Sequence, residues 1–510
     1  MNDLLPRRME ELGIDTTRSL HILDRLNAGA YDGIRPVVPR GIPVVDGELV
    51  LDRTVPSSLT IPDDLYQRRI GEIAPEIGAE RFGTPVPGDA GPARTLREEE
   101  LRVIGILLYP YLAYGVLNGG SATSYADRKK NESLDPALME LYREDFERLA
   151  PTVSGRPKGV TPAWVNPDGT PGASFLELKF RMLLLKGEEY RRIARQYGIT
   201  APAGLAPLLP FFEMTSNATE DLLRSAYGEY RESPLLRSFP EAEQALETLH
   251  AVQPLLAALT HSEEGRPRRI FSEAWGRENE PLGLPGGHGQ NFQVLAPIYR
   301  RLLELGKRFI YLGNVDNLGF TVDPVSLAIV ALRGAPAGFD FAFRTPLDVK
   351  GGVLVYDQEN NLNCADIGAA ISREDVLAAE KRGEKILFNC ATGLFDLRRL
   401  CDSLEEIVQE LPMRISDQQK DAGRYSQAEQ VTWEVIAMLD RPLVFGIDKY
   451  RRFLAAKMLL ETLLTSGLRR EEAAAIQPTV EQLSSGLTSV LEGEYGMVLE
   501  GSRWRPQSRS

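Results

Sequence analysis

The sequence predicts an α/β protein with a mixed, mostly parallel sheet, a helical N-terminal region and a short helical C-terminal tail. Two observations carry this. From about residue 111, short apolar runs alternate with long amphipathic stretches, as in LAYGVLNGG, SFLELKFRMLLLKGEEYRRIARQYG, LAPLLPFFEMTS and ATEDLLRSAYGEYR. Strands separated by helices of that length need crossovers, which favour parallel pairing. Several of the runs also end in loops rich in glycine and asparagine, the punctuation of a strand end that must approach a ligand.

The elements divide the chain into residues 1–110, 111–465 and 466–510. In the first region DDLYQRRIGEIAPEIG places Leu65, Ile70 and Ile73 near helical spacing. Segment 79–95, AERFGTPVPGDAGPART, reads as a Pro/Gly loop, and LREEELRVIGILL starts a further helix. In the second region RRIFSEA is a candidate third strand, NFQVLAPIYRRLLELG a helix and RFIYLGNVDN a strand. The polar stretch 125–172 is long for an uncommitted loop, so it is either a flap or an insertion. The tail from Gly467 reads helical, then polar and disordered through SRWRPQSRS.

Composition narrows the function. The chain has 510 residues, with 59 Lys and Arg against 72 Asp and Glu for a net charge of −13. Such a balance disfavours wrapping nucleic acid, although a local pocket can still be positive and take a small anion. No apolar run reaches the ~18 residues of a membrane span. The N-terminus lacks an apolar signal stretch. Three cysteines with no C-x-x-C pair point to neither disulfides nor zinc, and hence to a reducing, cytoplasmic location.

Three strand-end loops carry the candidate chemistry. Leu117, Asn118, Gly119 and Gly120 let backbone N–H groups approach a phosphate, or form a plain strand-to-helix turn. The spacing is not G-x-G-x-x-G, which disfavours a dinucleotide dehydrogenase. Leu284–Gln290 sets one of only four histidines, His288, among three glycines, where it could donate to a phosphate or sugar oxygen or simply be exposed. Gly313–Gly319 places Asp316 between two amides after a strand. That suits Mg²⁺ shared with a ligand's phosphates, or an Asx turn. No Ser-His-Asp or Cys-His constellation is evident.

These loops, in this order, resemble the UDP-glucose pyrophosphorylase family. Pro157-Lys158-Gly159 before SFLELKF, Asp348-Val349-Lys350-Gly351-Gly352, Phe388-Asn389 and Arg452-Phe453-Leu454-Ala455-Ala456-Lys457 are similar to further family motifs, over roughly residues 111–465. The resemblance implies a Rossmann-like nucleotidyltransferase sheet with helices on both faces. It also implies an enzyme that forms UDP-glucose and pyrophosphate from UTP and glucose 1-phosphate with Mg²⁺. Leu117 to Gly120 would hold the nucleotide, with Gly287 against uridine and Glu273 near uracil. Lys158 and Lys457 would serve the phosphates as catalytic cations, with Lys129 and Lys130 as alternatives to Lys158. His288 and Lys350 would serve the sugar phosphate, Asn314, Asp366 and Asn389 the sugar, and Asp316 the metal.

The chain departs from the family in places. Ala122 stands where the glycine turn usually continues with glycine, so a φ above zero there would be strained. Glu273 replaces a frequent glutamine, and an ionised carboxylate cannot donate to a uracil carbonyl. Asp366 replaces glutamate, which shortens the reach by one methylene. The tail is too short for the C-terminal β-helix of eukaryotic glucose members, so their mode of oligomerisation is not implied. Two alternatives follow: a uridylyltransferase for galactose or N-acetylglucosamine 1-phosphate, and a nucleotide-sugar-binding regulator without turnover.

Overall fold

The computed structural model describes residues 4–507 except 33–36, 89–90, 121–124, 201, 203, 206, 346–347, 349–350, 470–471 and 473–476. A ten-stranded sheet organises the chain. Its strands are β1 (Val50–Asp52), β2 (Leu112–Leu117), β3 (Phe211–Ser216), β4 (Leu249–Gln253), β5 (Phe309–Asn314), β6 (Ala337–Phe343), β7 (Gly352–Tyr356), β8 (Leu362–Asp366), β9 (Leu387–Asp396) and β10 (Leu443–Ile447). The order is β1-β10-β6-β9-β5-β2-β3-β4, with β7 joined to β8 and β9. Every neighbour on the main path is parallel except β9, which runs antiparallel to both β5 and β6. The carboxyl ends of β2, β4, β5 and β6 therefore share one edge with the start of β9. Ligands of open α/β sheets bind at that edge.

The alternation of each strand feeds two cores. In β2, Leu112, Tyr114 and Val116 face one hydrophobic cluster while Ala113 and Leu117 face another. In β5, Phe309 and Tyr311 join the first cluster and Ile310 and Leu312 the second. A strand buried on both faces reads as a continuous apolar run, as these two do. Helix Pro324–Arg333 is buried throughout its length. Asp323 caps its N-terminus by accepting from Val325 N–H, Pro324 takes the first turn, and Gly334 closes it in the left-handed conformation.

Several expectations are corrected. The first region is only partly helical, because β1 joins the main sheet and residues 58–62, 84–88 and 91–97 form a three-stranded sheet. Within 79–95, a turn at Ala79–Arg81 is followed by two antiparallel strands, 84–88 against 91–95, on which Pro85, Pro87 and Pro92 lie. RRIFSEA is no strand: it has two isolated bridges, Ile270 to Leu259 and Glu273 to Glu280, and then turns at Trp275, whose φ is 55°. NFQVLAPIYRRLLELG splits into Asn291–Val294 and Ala296–Glu304, with Pro297 at the start of the second helix. Segment 125–172 holds three helices that contribute Met139, Tyr142, Phe146 and Leu149 to the main core. After helix Gln477–Gly493 the tail forms a hairpin, Met497–Glu500 with Arg503–Pro506. Its antiparallel pairing, rather than composition, orders those polar residues.

Candidate active site at the carboxyl edge of the sheet

Asn118 follows β2 and is 1 % exposed. Its Nδ2 donates to Glu213 Oε2 at 3.0 Å, and its Oδ1 accepts Gly159 N–H at 3.1 Å. Lys158 N–H donates to Gly120 O at 3.0 Å. The glycine turn and the Pro157-Lys158-Gly159 segment are therefore one unit. Lys158 is buried, and its Nζ has no hydrogen-bond partner among the described residues. The ammonium lies 3.3 Å from the centre of the Tyr125 ring, a cation–π contact. Burial pushes it down to about 8, against the opposing pull of Asp316 and Glu461. A buried cation without a hydrogen-bond partner beside a glycine turn is able to take an anion. Lys129 and Lys130 lie instead on the exposed side of helix Arg128–Leu134.

The second loop meets the first through Gln253, the last residue of β4. Gln253 Nε2 donates to Gly287 O at 2.8 Å and to Gln290 Oε1 at 2.6 Å. Its Oε1 lies 3.3 Å from where a β-carbon on Gly119 would sit. Gly287 has φ +78°, and a β-carbon there would meet Gln430 O at 2.3 Å, so only glycine fits. His288 follows. Thr432 N–H donates to its Nδ1 at 3.0 Å, which leaves the ring proton on Nε2. Burial, then Lys457 and Arg414, push His288 down to about 4. It is a neutral donor at physiological pH.

The third loop is braced from beneath. The fully buried ammonium of Lys179 donates to Asn317 O at 2.7 Å and Phe320 O at 2.6 Å. Asn317 Oδ1 accepts Gly319 N–H and Leu454 N–H, each at 3.0 Å, which ties the loop to the segment carrying Lys457. Below it, half-buried Arg452 pairs with buried Asp340 at 2.8 Å. Asn314 closes β5 opposite Leu117. The Asp316 carboxylate takes no hydrogen bond from the described residues, while its charge bears on Lys158 and Lys179. Among the described residues no group of three His, Cys, Asp or Glu could hold a metal. The donor set that fits is one carboxylate plus ligand phosphates, a usual arrangement for Mg²⁺.

At the far end, Asp366 ends β8 and Asn389 lies near the start of β9. A β-carbon on Gly352 would meet Cys364 Sγ at 2.1 Å and sit 3.5 Å from Asp366 Oδ1 and 3.7 Å from Asn389 Cβ, so Asp366 and Asn389 flank the same point of the sheet. Asp366 is not free: Arg414 Nη1 donates to its Oδ2 at 2.7 Å. Asp348 of the D-V-K-G-G motif is pinned by Thr345 and Lys449. Lys350 and Ala122 lie outside the described residues.

Most of the expected residues thus converge: Leu117 to Gly120, Lys158, Gly287, His288, Asn314, Asp316, Asp366, Asn389 and Lys457. Glu273 does not. It is exposed on a turn whose backbone bridges Glu280, and no described contact links it to these loops. Gln253 instead stands at the junction of the first two loops. Sequence reasoning missed Gln253, Lys179, Arg414 and Glu434. For Gln253 a signal existed, a strand ending in Gln-Pro. Nothing local marks the other three.

A family model described as UTP–glucose-1-phosphate uridylyltransferase matches residues 271–482. Over that segment the chain is similar to the UDP-glucose pyrophosphorylase family. A UTP–glucose-1-phosphate uridylyltransferase of Astragalus penduliflorus is 23 % identical over 309 residues, 58 % of this chain and 64 % of that protein. A "Probable UTP–glucose-1-phosphate uridylyltransferase" of Schizosaccharomyces pombe is 34 % identical over 85 residues, 16 % of this chain and 17 % of that protein. The matches thus span less than two thirds of these relatives. Among solved structures, a UDP-glucose phosphorylase of Trypanosoma brucei superposes with a TM-score of 0.53 at 18 % identity, covering 89 % of this chain and 76 % of that one. A uridine diphosphate N-acetylglucosamine pyrophosphorylase of the same organism gives 0.58 at 15 % identity, covering 92 % and 81 %. These solved structures share this chain's mixed α/β fold.

Proposed function

We propose that the chain is a UDP-sugar pyrophosphorylase that joins UTP to a sugar 1-phosphate, with glucose 1-phosphate as the substrate, and releases pyrophosphate. The observation that carries this reading is Lys158, a buried ammonium without a hydrogen-bond partner among the described residues, held against the Asn118–Gly120 turn. Gln253 stands at the junction of the first two loops with both amide hydrogens committed to Gly287 O and Gln290 Oε1, which leaves its Oε1 to accept the N3–H of a uracil. Lys457 and Arg414 lie close enough for their positive charges to bear on the neutral His288 ring, which supports a sugar phosphate there.

In the reaction a phosphate oxygen of the sugar 1-phosphate would attack the α-phosphorus of UTP. The new P–O bond forms as the bond to the β-phosphate oxygen breaks, and pyrophosphate leaves. The nucleophile is already an anion, so no strong general base is required. The obstacle is repulsion between anions, and positioned positive charge is the means of lowering it. Lys158 and Lys457 would supply that charge, while neutral His288 would donate from Nε2 without a competing proton. Mg²⁺ on Asp316, when bound, would neutralise further phosphate charge.

Three free cysteines, two of them buried, support a cytoplasmic location. Among the described residues no helix is long and apolar enough to cross a membrane. Lys457→Ala tests the proposal. It should lower kcat for pyrophosphate release by about 10²–10³ with unfolding unchanged, and near-normal turnover would refute its role.

A further inference from the structure

A hollow of about 440 Å³ lies behind the Gly287-His288 loop. Helix Thr16–Asn27, the end of helix Leu397–Glu410 and the hairpin of strands Met413–Lys420 and Gly423–Gln430 enclose it. Arg18 and Arg25 line it from one face of the first helix, two turns apart, with Ile22 between them. Both are half-buried on a chain of net charge −13, yet among the described residues neither forms an ion pair. Their partners are neutral. Arg18 Nη2 donates to Gln430 Oε1 at 3.1 Å. Arg25 Nη1 reaches Gln409 O at a long 3.5 Å, and its guanidinium lies 5.5 Å from the centre of the Tyr31 ring. The carboxylate of the wall, Asp15, caps the helix by accepting Arg18 N–H at 2.9 Å. Burial pulls the Arg18 guanidinium down from its ordinary value, and Asp15 offsets only part of that. A half-buried cation without a counter-charge is costly, and an anion in the hollow would relieve it.

We propose that this hollow is a regulatory site for a small phosphate monoester with an apolar body, and that filling it weakens nucleotide binding at the loop in front of it. Two guanidiniums against one carboxylate suit a dianionic phosphate, which each fork can grip through paired N–H donors. Ile22, Leu411 and Met413 give the apolar body a surface that inorganic phosphate cannot use. Gln430 links the hollow to the loop. Its Oε1 takes the Arg18 donor, its backbone N–H donates to Gly286 O at 3.0 Å, and its carbonyl oxygen packs directly on Gly287. A phosphate that draws Arg18 away leaves Gln430, 4 % exposed, with an acceptor lacking its donor. The backbone of Gly286 and Gly287, which rests on Gln430, loses part of its support. Phosphate ester and nucleotide therefore oppose each other's binding, each by the same factor. The coupling rests on the preceding reading that the nucleotide lies against Gly287, whereas the phosphate site does not.

Calorimetric titration of the full chain with phenyl phosphate, inorganic phosphate and benzoate tests the site, in the wild type, Arg18→Gln, Arg25→Gln and Lys457→Ala. Phenyl phosphate should bind the wild type and Lys457→Ala alike, and should lose about tenfold in affinity in each arginine variant. Inorganic phosphate and benzoate should each bind more weakly than phenyl phosphate. With phenyl phosphate saturating, UDP should bind the wild type about fivefold more weakly. At the same phenyl phosphate concentration, Arg18→Gln should bind UDP as it does without it. Arg25→Gln keeps the site testable if Arg18→Gln does not fold. No binding of phenyl phosphate to folded wild type overturns the inference. So does an affinity that is unchanged in the folded arginine variants, or lost in Lys457→Ala instead, or matched by benzoate. Phenyl phosphate held by the arginines without effect on UDP, or with an equal effect in Arg18→Gln, overturns the coupling. Phenyl phosphate held there by a chain that binds no UDP removes the nucleotide reading and leaves the phosphate site standing.

Discussion

Asn118 Oδ1 accepts the backbone N–H of Gly159 at 3.1 Å, which fixes the turn after β2 to the segment that presents Lys158. Asn118→Ala leaves that buried N–H without its partner and removes a donor from Glu213. The expected loss of stability is about 1–3 kcal/mol. The KM for UTP should rise more than that for the sugar phosphate, because Lys158 loses its anchor. Denaturant unfolding with steady-state kinetics checks both, and an unchanged KM for UTP would separate Asn118 from the phosphate loop.

Lys158 should give a pH dependence of its own. Its folded-state value of about 8 lies below the usual 10.5. The unfolded chain then holds a proton that the folded chain lacks between those values, so stability rises with pH through that window. Binding runs the other way, since the free site loses its cation above about pH 8. Affinity for UTP should fall as pH rises past 8 in the wild type, and Lys158→Arg should remove that fall. Equal pH profiles for the two proteins would assign the cation elsewhere.

His288 should act while neutral. Burial holds it at about 4 rather than the usual 6.5. The unfolded chain takes up the proton first as pH falls, so this part of stability is complete above 6.5 and is lost progressively toward 4. Urea unfolding of wild type and His288→Asn across pH 4–7 should show a steeper acid loss in the wild type. Activity should show no histidine ionisation between pH 6 and 8. An ionisation near 6.5 that vanishes in His288→Asn would contradict the neutral-donor role.

Lys179→Met removes a fully buried ammonium and leaves the carbonyls of Asn317 and Phe320 without their donor. Unpairing buried polar groups costs about 1–3 kcal/mol each, offset in part because the buried charge itself is removed. The fold should survive with a lower Tm. The Asp316 loop should loosen, so the Mg²⁺ concentration for half-maximal activity should rise. An unaltered Mg²⁺ requirement would make Lys179 purely a core residue.

The parts of the site legible in the sequence are those coded by consecutive residues. Leu117–Gly120 and Asn314–Asp316 each follow an apolar strand, whose end announces itself by a change of period, and Gly287–His288 stands out by its run of glycines. Gln253 was hidden because β4, LHAVQ, is short and only partly buried. Glu273 was placed by its neighbourhood in a phrase, and RRIFSEA did not become the strand that phrase required. Lys179 and Glu434 act through burial, and a charged residue on a helical or polar stretch reads as a solvated one until the fold covers it. Arg414 meets Asp366 across 48 residues and Glu434 across 20, distances that no local pattern records.

The most direct test is pyrophosphate release by the purified chain with UTP, Mg²⁺ and glucose 1-phosphate, against Asp316→Ala. Release by the wild type, falling by about 10² or more in the variant, is the predicted result. A folded wild type that releases no pyrophosphate with glucose 1-phosphate or any other sugar 1-phosphate would contradict the uridylyltransferase assignment.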